Sequence, residues 1–180
     1  ADLRAADIDL TAAVVGPGRY AGIRAAVTMA QALVLPSNGL SDYVGSAAVL
    51  AWQILNERDV EEVAVFGDAR RGDVWAGRFG FEKGRPARRG DWILAPAADV
   101  AERLPDGISA CSPEWERLSR MPSLAESSSL DWIRESRFPS AAALGRIVLQ
   151  RREAGHPPAP PDPIYLHPPV RAAQPTGGTP

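Results

Sequence analysis

The feature that most constrains this chain is a short apolar run, Leu10 to Val15, that ends on Gly16-Pro17-Gly18 and leads into a long, almost uncharged segment. A β-rich run closed by two glycines and a proline reads as a buried strand followed by a sharp break. The segment Gly22 to Leu35 behind it has helical spacing, and Pro36-Ser37-Asn38-Gly39 stops it. Strand, glycine turn, helix is a geometry that can hold an anion, because a helix N-terminus offers free N–H groups and a positive dipole end. The same turn can equally be plain structure. It is not a P-loop, since no Lys-Ser or Lys-Thr follows, and its glycine spacing is not the dinucleotide fingerprint. The helix itself says more. Ile23, Val27, Leu33 and Val34 share one side with Ala26 and Ala30, while Ala25, Met29, Ala32 and Leu35 occupy the other. Only Arg24, Thr28 and Gln31 are polar. A helix on a monomer's surface should show a polar face. This one is therefore expected to be covered twice, once by its own sheet and once by a partner, or else to lie wholly inside one chain.

The remaining pattern is α/β. Ser41 to Asn56 has helical spacing and reads as a second helix. Val63–Phe66, Val74–Phe81 and Trp92–Leu94 read as strands, Ala97–Leu104 as a short helix, and Gly107–Cys111 as one more strand. Residues 112 to 139 carry little pattern and read as loop with short helical turns. Ser140 to Ala154 is a helix with Ser140 as N-cap and Gly155 as terminator. The proline-rich end cannot form regular helix; Ile164-Tyr165-Leu166 is its expected anchored piece, and the last ten residues are expected to be disordered. Strand, helix, helix, then strands, then helices predicts two lobes meeting near residues 57 to 62.

Charge and chemistry narrow the function. Lys plus Arg is 20 and Asp plus Glu 22, a net charge of -2 that gives no overall electrostatic signature of nucleic-acid binding. Cys111 is the one cysteine, so no intrachain disulfide forms and a reducing compartment, the cytoplasm, is expected. No apolar run reaches the roughly 18 residues of a membrane span. The two histidines, His156 and His167, lie in the proline-rich end and form no helical pair for zinc. Cys111-Ser112-Pro113 has no neighbouring base and reads as a core cysteine. No cofactor and no metal are expected.

Four segments, in order, resemble the TsaB (YeaZ) family. Gly16-Pro17-Gly18-Arg19-Tyr20-Ala21-Gly22-Ile23-Arg24 is similar to that family's Gly-Pro-Gly-Ser-Phe-Thr-Gly-Leu-Arg, and Asp7-Ile8-Asp9 to the Asp-Ile-Asp before its strand. Asp68-Ala69-Arg70-Arg71-Gly72-Asp73-Val74-Trp75 resembles Asp-Ala-Arg-Arg-Gly-Glu-Val-Tyr. Pro163-Ile164-Tyr165-Leu166-His167 resembles Pro-Val-Tyr-Leu-Arg. The departures are Arg19-Tyr20-Ala21 and His167, and about fifty family residues that would precede Ala1.

The resemblance implies an actin-like (RNase H-like) two-lobed α/β fold with an incomplete first lobe. Residues 1–58 would be the remainder of that lobe, 59–169 the second lobe, and 170–180 a tail. It implies a non-catalytic subunit that pairs with the catalytic TsaD-type subunit, works with a TsaE-type ATPase, and contacts tRNA only indirectly. Together such proteins form N6-threonylcarbamoyladenosine at position 37 of tRNA. Alone, the chain is expected to form a homodimer through the same helix. The expected partner interface is Ile23, Ala26, Val27, Ala30 and Val34. Gly16, Gly18, Arg24, Arg70 and Arg71 are candidates for an anion or a contact between lobes. For Asp68 to Gly72 the competing reading is a solvated turn with an Asp–Arg pair, worth under about 1 kcal/mol if exposed. A stand-alone interaction module remains the alternative to the tRNA role.

Overall fold

The computed structural model describes residues 4–166. Strand β1 (Leu10–Val14) leads into helix α1 (Tyr20–Val34), strand β2 (Leu40–Val44) and helix α2 (Ser46–Arg58). β1 and β2 are parallel neighbours in a two-stranded sheet, with Leu10 opposite Leu40 and Val14 opposite Val44. Five strands form the second sheet: β3 (Glu62–Arg70), β4 (Asp73–Glu82), β5 (Arg85–Pro96), β6 (Ile108–Ser112) and β7 (Leu130–Ser136), in the order β5-β4-β3-β6-β7. β3, β4 and β5 are antiparallel, whereas β3, β6 and β7 are parallel. Short helices α3 (Ala97–Val100), α4 (Trp115–Leu118) and α5 (Pro122–Ala125) join the later strands, and α6 (Ala141–Glu153) follows them.

The layers follow from side-chain alternation, since successive strand residues point to opposite faces. Ala13 of β1 and Val15 just after it pack with Ala30 of α1, while Leu10, Ala12 and Val14 pack with Ala143, Leu144 and Ile147 of α6. On β3, Ala64 and Phe66 join the cluster over α3, α4 and α5, while Val63 and Val65 join the one over α2. Helix α6 thus returns to the first sheet, although it follows the second in sequence. Its N-cap is as expected: the Ser140 hydroxyl accepts from the Ala143 N–H at 3.1 Å.

Helix α2 sits between the two sheets. Val49 faces α6 while Leu50, Ile54 and Leu55 face the large sheet, and all four are at most 2% exposed. Each such side chain contributes roughly 1.5–3 kcal/mol of burial. The helix that is covered on two sides by this chain is α2. α1 packs only one side.

Two sequence expectations need correcting. The helix expected from Ser41 begins at Ser46; Leu40–Val44 is a strand, in which Tyr43 and Val44 are β-formers and Gly45 makes the break. The segment expected to be loop contains β7, whose Leu130 and Trp132 are buried while Asp131 between them is exposed. The expected disorder of the last ten residues lies outside the described residues. Among the described residues no helix is long and apolar enough to cross a membrane.

Candidate functional site

Helix α1 lies on the small sheet through one face only. Ile23, Ala30 and Val34 are buried, and Ala26 and Val27 pack half-buried on the cluster of Ala13, Val15 and Tyr43. These five are the residues expected at a partner interface. All of them are used inside the chain, because the sheet takes the side with the branched residues. The opposite side carries Ala21, Ala25, Thr28, Met29, Ala32 and Leu33, every one exposed. Met29 is 63% and Leu33 44% exposed, and just beyond the helix Leu35 is 74% exposed. This face has no charge and mostly small side chains, so another backbone can approach it closely. Beside it, Arg24 reaches back one turn: its guanidinium lies 4.9 Å from the Tyr20 ring centroid and donates to the Tyr20 hydroxyl.

The Gly-Pro-Gly turn stands at the amino end of α2. The Gly16 carbonyl accepts from the Ser46 N–H at 2.6 Å, and the Ser46 hydroxyl donates to the Pro17 carbonyl at 2.7 Å. Gly16 has φ +100°, and a Cβ there would meet the Ile164 carbonyl at 2.7 Å and the Ile23 side chain at 2.8 Å. Glycine is required by the chain's own close packing. The segment near the carboxyl end crosses this turn: the Ile164 N–H donates to the Val15 carbonyl at 2.7 Å, Tyr165 stacks 5.1 Å from Tyr20, and Leu166 packs on the cluster under α2. Sequence reasoning found Ile164-Tyr165-Leu166 as an anchored piece but had no signal for what it anchors to.

Asp68 to Gly72 spans the end of β3 and the turn into β4. Arg70 and Arg71 take left-handed conformations, φ +67° and +57°, before Gly72 at +90°. The Asp68 carboxylate stabilises this by accepting the Arg70 N–H at 2.9 Å, and pairs with Arg117 at 3.0 Å. Its own N–H donates to the Glu114 carboxylate at 2.7 Å. Asp68 therefore does pair with an arginine, though with Arg117 of α4, which no local pattern could indicate. Arg70 and Arg71 are exposed. Ala69 beside them shares a buried cluster with Ala47 of α2, which brings this turn and the Gly-Pro-Gly turn to the same end of α2.

Among the described residues no group of three or more His, Cys, Asp or Glu comes together as metal ligands. Cys111 is fully buried on β6, and burial pushes its thiol up to about 12. The neutral thiol is thus the folded form at neutral pH, and the site gives it no thiolate character. A thiol-reactive disulfide reagent at pH 8 is expected to find no reactive thiol in the native protein and one in denaturant; rapid native labelling would contradict the burial.

A parallel two-stranded sheet and a mixed five-stranded sheet, with α2 between them, make an α/β fold of the actin-like (RNase H-like) type. The fold is shared with solved structures. YeaZ from Pseudomonas aeruginosa superposes with a TM-score of 0.69 at 22% identity over 90% of this chain and 76% of that one. An uncharacterized protein with similarity to the peptidase YeaZ, from the same organism, has a TM-score of 0.69 at 24% identity, covering 92% and 76%. At such identities the likeness establishes the fold. No protein-family model and no curated protein matches the chain.

Proposed function

We propose that this chain is a TsaB-type accessory subunit, without catalysis of its own, of the complex that forms N6-threonylcarbamoyladenosine at position 37 of tRNA. It docks on a TsaD-type catalytic subunit through the exposed face of α1, and on a second copy of itself when that subunit is absent. The observation that carries this reading is the uncharged face of Ala21, Ala25, Met29, Ala32 and Leu33, presented to solvent on a helix whose other side is already packed. The YeaZ-like fold and the ordered motifs at 16–24, 68–75 and 163–167 support it. Small apolar residues at an interface let two helices approach at van der Waals distance, where one carboxylate without a partner is costly.

Met29→Asp combined with Leu33→Asp is expected to weaken association at least 100-fold, since a central interface residue contributes about 2 kcal/mol or more. Both side chains are exposed, so the thermal transition should hold. Light scattering of the chain alone, and co-purification with a TsaD-type subunit, are the two readouts. Loss of both supports the docking face. Loss of self-association with retained TsaD binding moves the subunit contact elsewhere. Retention of both overturns the reading.

A further inference from the structure

The net charge of -2 conceals a local concentration of cations. The β4–β5 hairpin turns at Lys83-Gly84 and its tip faces helix α6, with a cavity of about 310 Å³ between them. Val44 and Ile147 provide apolar wall, and Lys83, Arg85 and Arg151 line it with three cations beside the carboxylate of Glu82, Arg151 being paired from below with Asp42. That volume is at the lower end of small-ligand sites, roughly 300–1,000 Å³.

The three cations are differently held. Arg151 is fixed from beneath: one guanidinium nitrogen, Nη1, lies 3.0 Å from the buried Asp42 carboxylate as an ion pair and donates to the Tyr43 carbonyl at 3.0 Å. A guanidinium carries five N–H donors, so the donors on Nε and Nη2 remain, and they have no hydrogen-bond partner among the described residues. Lys83 and Arg85 are in no ion pair among the described residues, unlike Arg78, Arg88 and Arg137. Lys83 also occupies a place that chemistry of the turn alone does not select. It has φ +51° and Gly84 φ +75°, a two-residue turn for which Asn-Gly is the favoured pair. A lysine in the left-handed region there gives the turn a cation and less conformational ease.

We propose that this cavity is a phosphate-binding site for a nucleotide, either free or as one link of an RNA strand. The anchored Arg151 supplies a planar donor edge that suits phosphate oxygens, Lys83 a mobile point charge, and Arg85 a second fork. The apolar wall of Val44 and Ile147 suits the sugar or base that accompanies a phosphoryl group. The site lies on the hairpin and α6, away from the exposed face of α1, so it stands or falls separately from the docking reading.

The test uses the full chain and three probes: inorganic phosphate, AMP, and a short fluorescein-labelled single-stranded oligoribonucleotide. Binding is followed by calorimetry for the first two and by anisotropy for the third, at low salt. Lys83→Gln with Arg85→Gln is compared with Arg103→Gln and Arg120→Gln, which removes the same charge from exposed positions elsewhere. The hairpin variant is expected to lose at least tenfold in affinity, because it removes two charge-assisted contacts to the phosphate, and the control variant to bind like wild type. AMP binding identifies a free nucleotide. RNA binding without AMP binding, with a salt slope that falls by about two in the hairpin variant, identifies a strand phosphate. If no probe binds wild type, or if both variants weaken binding equally, the site is overturned.

Discussion

Arg151→Ala is expected to lower stability by about 3–5 kcal/mol, because it leaves the Asp42 carboxylate buried without its cation. Asp42 is 1% exposed, in the middle of β2. Its Oδ1 accepts from the Tyr43 N–H at 2.7 Å and from the Ala159 N–H at 2.9 Å, and Arg151 Nη1 pairs with it at 3.0 Å. Those bonds tie β2, the last turn of α6 and the segment after α6 into one knot. Two backbone N–H groups cannot replace the lost countercharge. Alanine also deletes the donor to the Tyr43 carbonyl. For a chain of this size the change corresponds to a fall in Tm of roughly 6–20 °C. The control is Asp42→Asn with Arg151→Met, which removes both charges while keeping most of the volume and should recover a good part of the loss. A shift below about 1 kcal/mol for Arg151→Ala would show that the pair is solvated in solution. No local pattern pointed to this pair, because its partners are more than a hundred residues apart in the chain.

That separation explains much of what could and could not be read from the sequence. Elements with a dominant local signal were legible: α1 from its apolar spacing, α6 from Ser140 and Gly155, and β3 and β4 from β-branched and aromatic runs. β2 was not, because Leu40–Val44 joins the apolar spacing of the following helix without a visible break until Gly45. β7 was hidden because Asp131, Arg134 and Glu135 interrupt its apolar pattern, and its buried Trp132 depends on Phe66 and Trp115, rings 4.8 and 4.9 Å away from two other elements. The lack of a polar face on α1 was legible. Which side turns inward was not, since alanines on both sides gave the helix no orientation. The sheet chose the side of Ile23, Ala30 and Val34, and so left Met29 and Leu33 outside. The Gly-Pro-Gly turn was visible as a break, but the carboxyl-terminal segment lying across it comes from residues about 150 positions later.

Gly67→Ala should show how tightly the large sheet is packed, with an expected loss of about 3 kcal/mol from a single methyl group. Gly67 lies opposite Trp75 on the neighbouring strand, and the Trp75 indole lies across it. A Cβ at Gly67 would fall 2.6 Å from the indole Nε1, nearer still to two ring carbons, where no real contact is found. The ring has no room to retreat. Trp75 is 6% exposed and meets the edge of Trp92 at 5.7 Å, and Trp92 is braced by Phe79 at 5.9 Å. Trp92 is held in turn over Gly77, where a Cβ would meet Phe79 at 3.1 Å. Cross-strand glycines and tryptophans on β3, β4 and β5 thus interlock, so strain at one end is passed along the aromatic row. The near-UV circular dichroism should change with the stability, since the environment of two indoles changes. Trp75→Leu in the same background relieves the clash. The double variant should therefore be more stable than the two single losses add up to, by about 1–3 kcal/mol. Strict additivity, or a native-like Gly67→Ala spectrum with unchanged Tm, would mean that the indole moves freely, which the contacts on its far edge forbid.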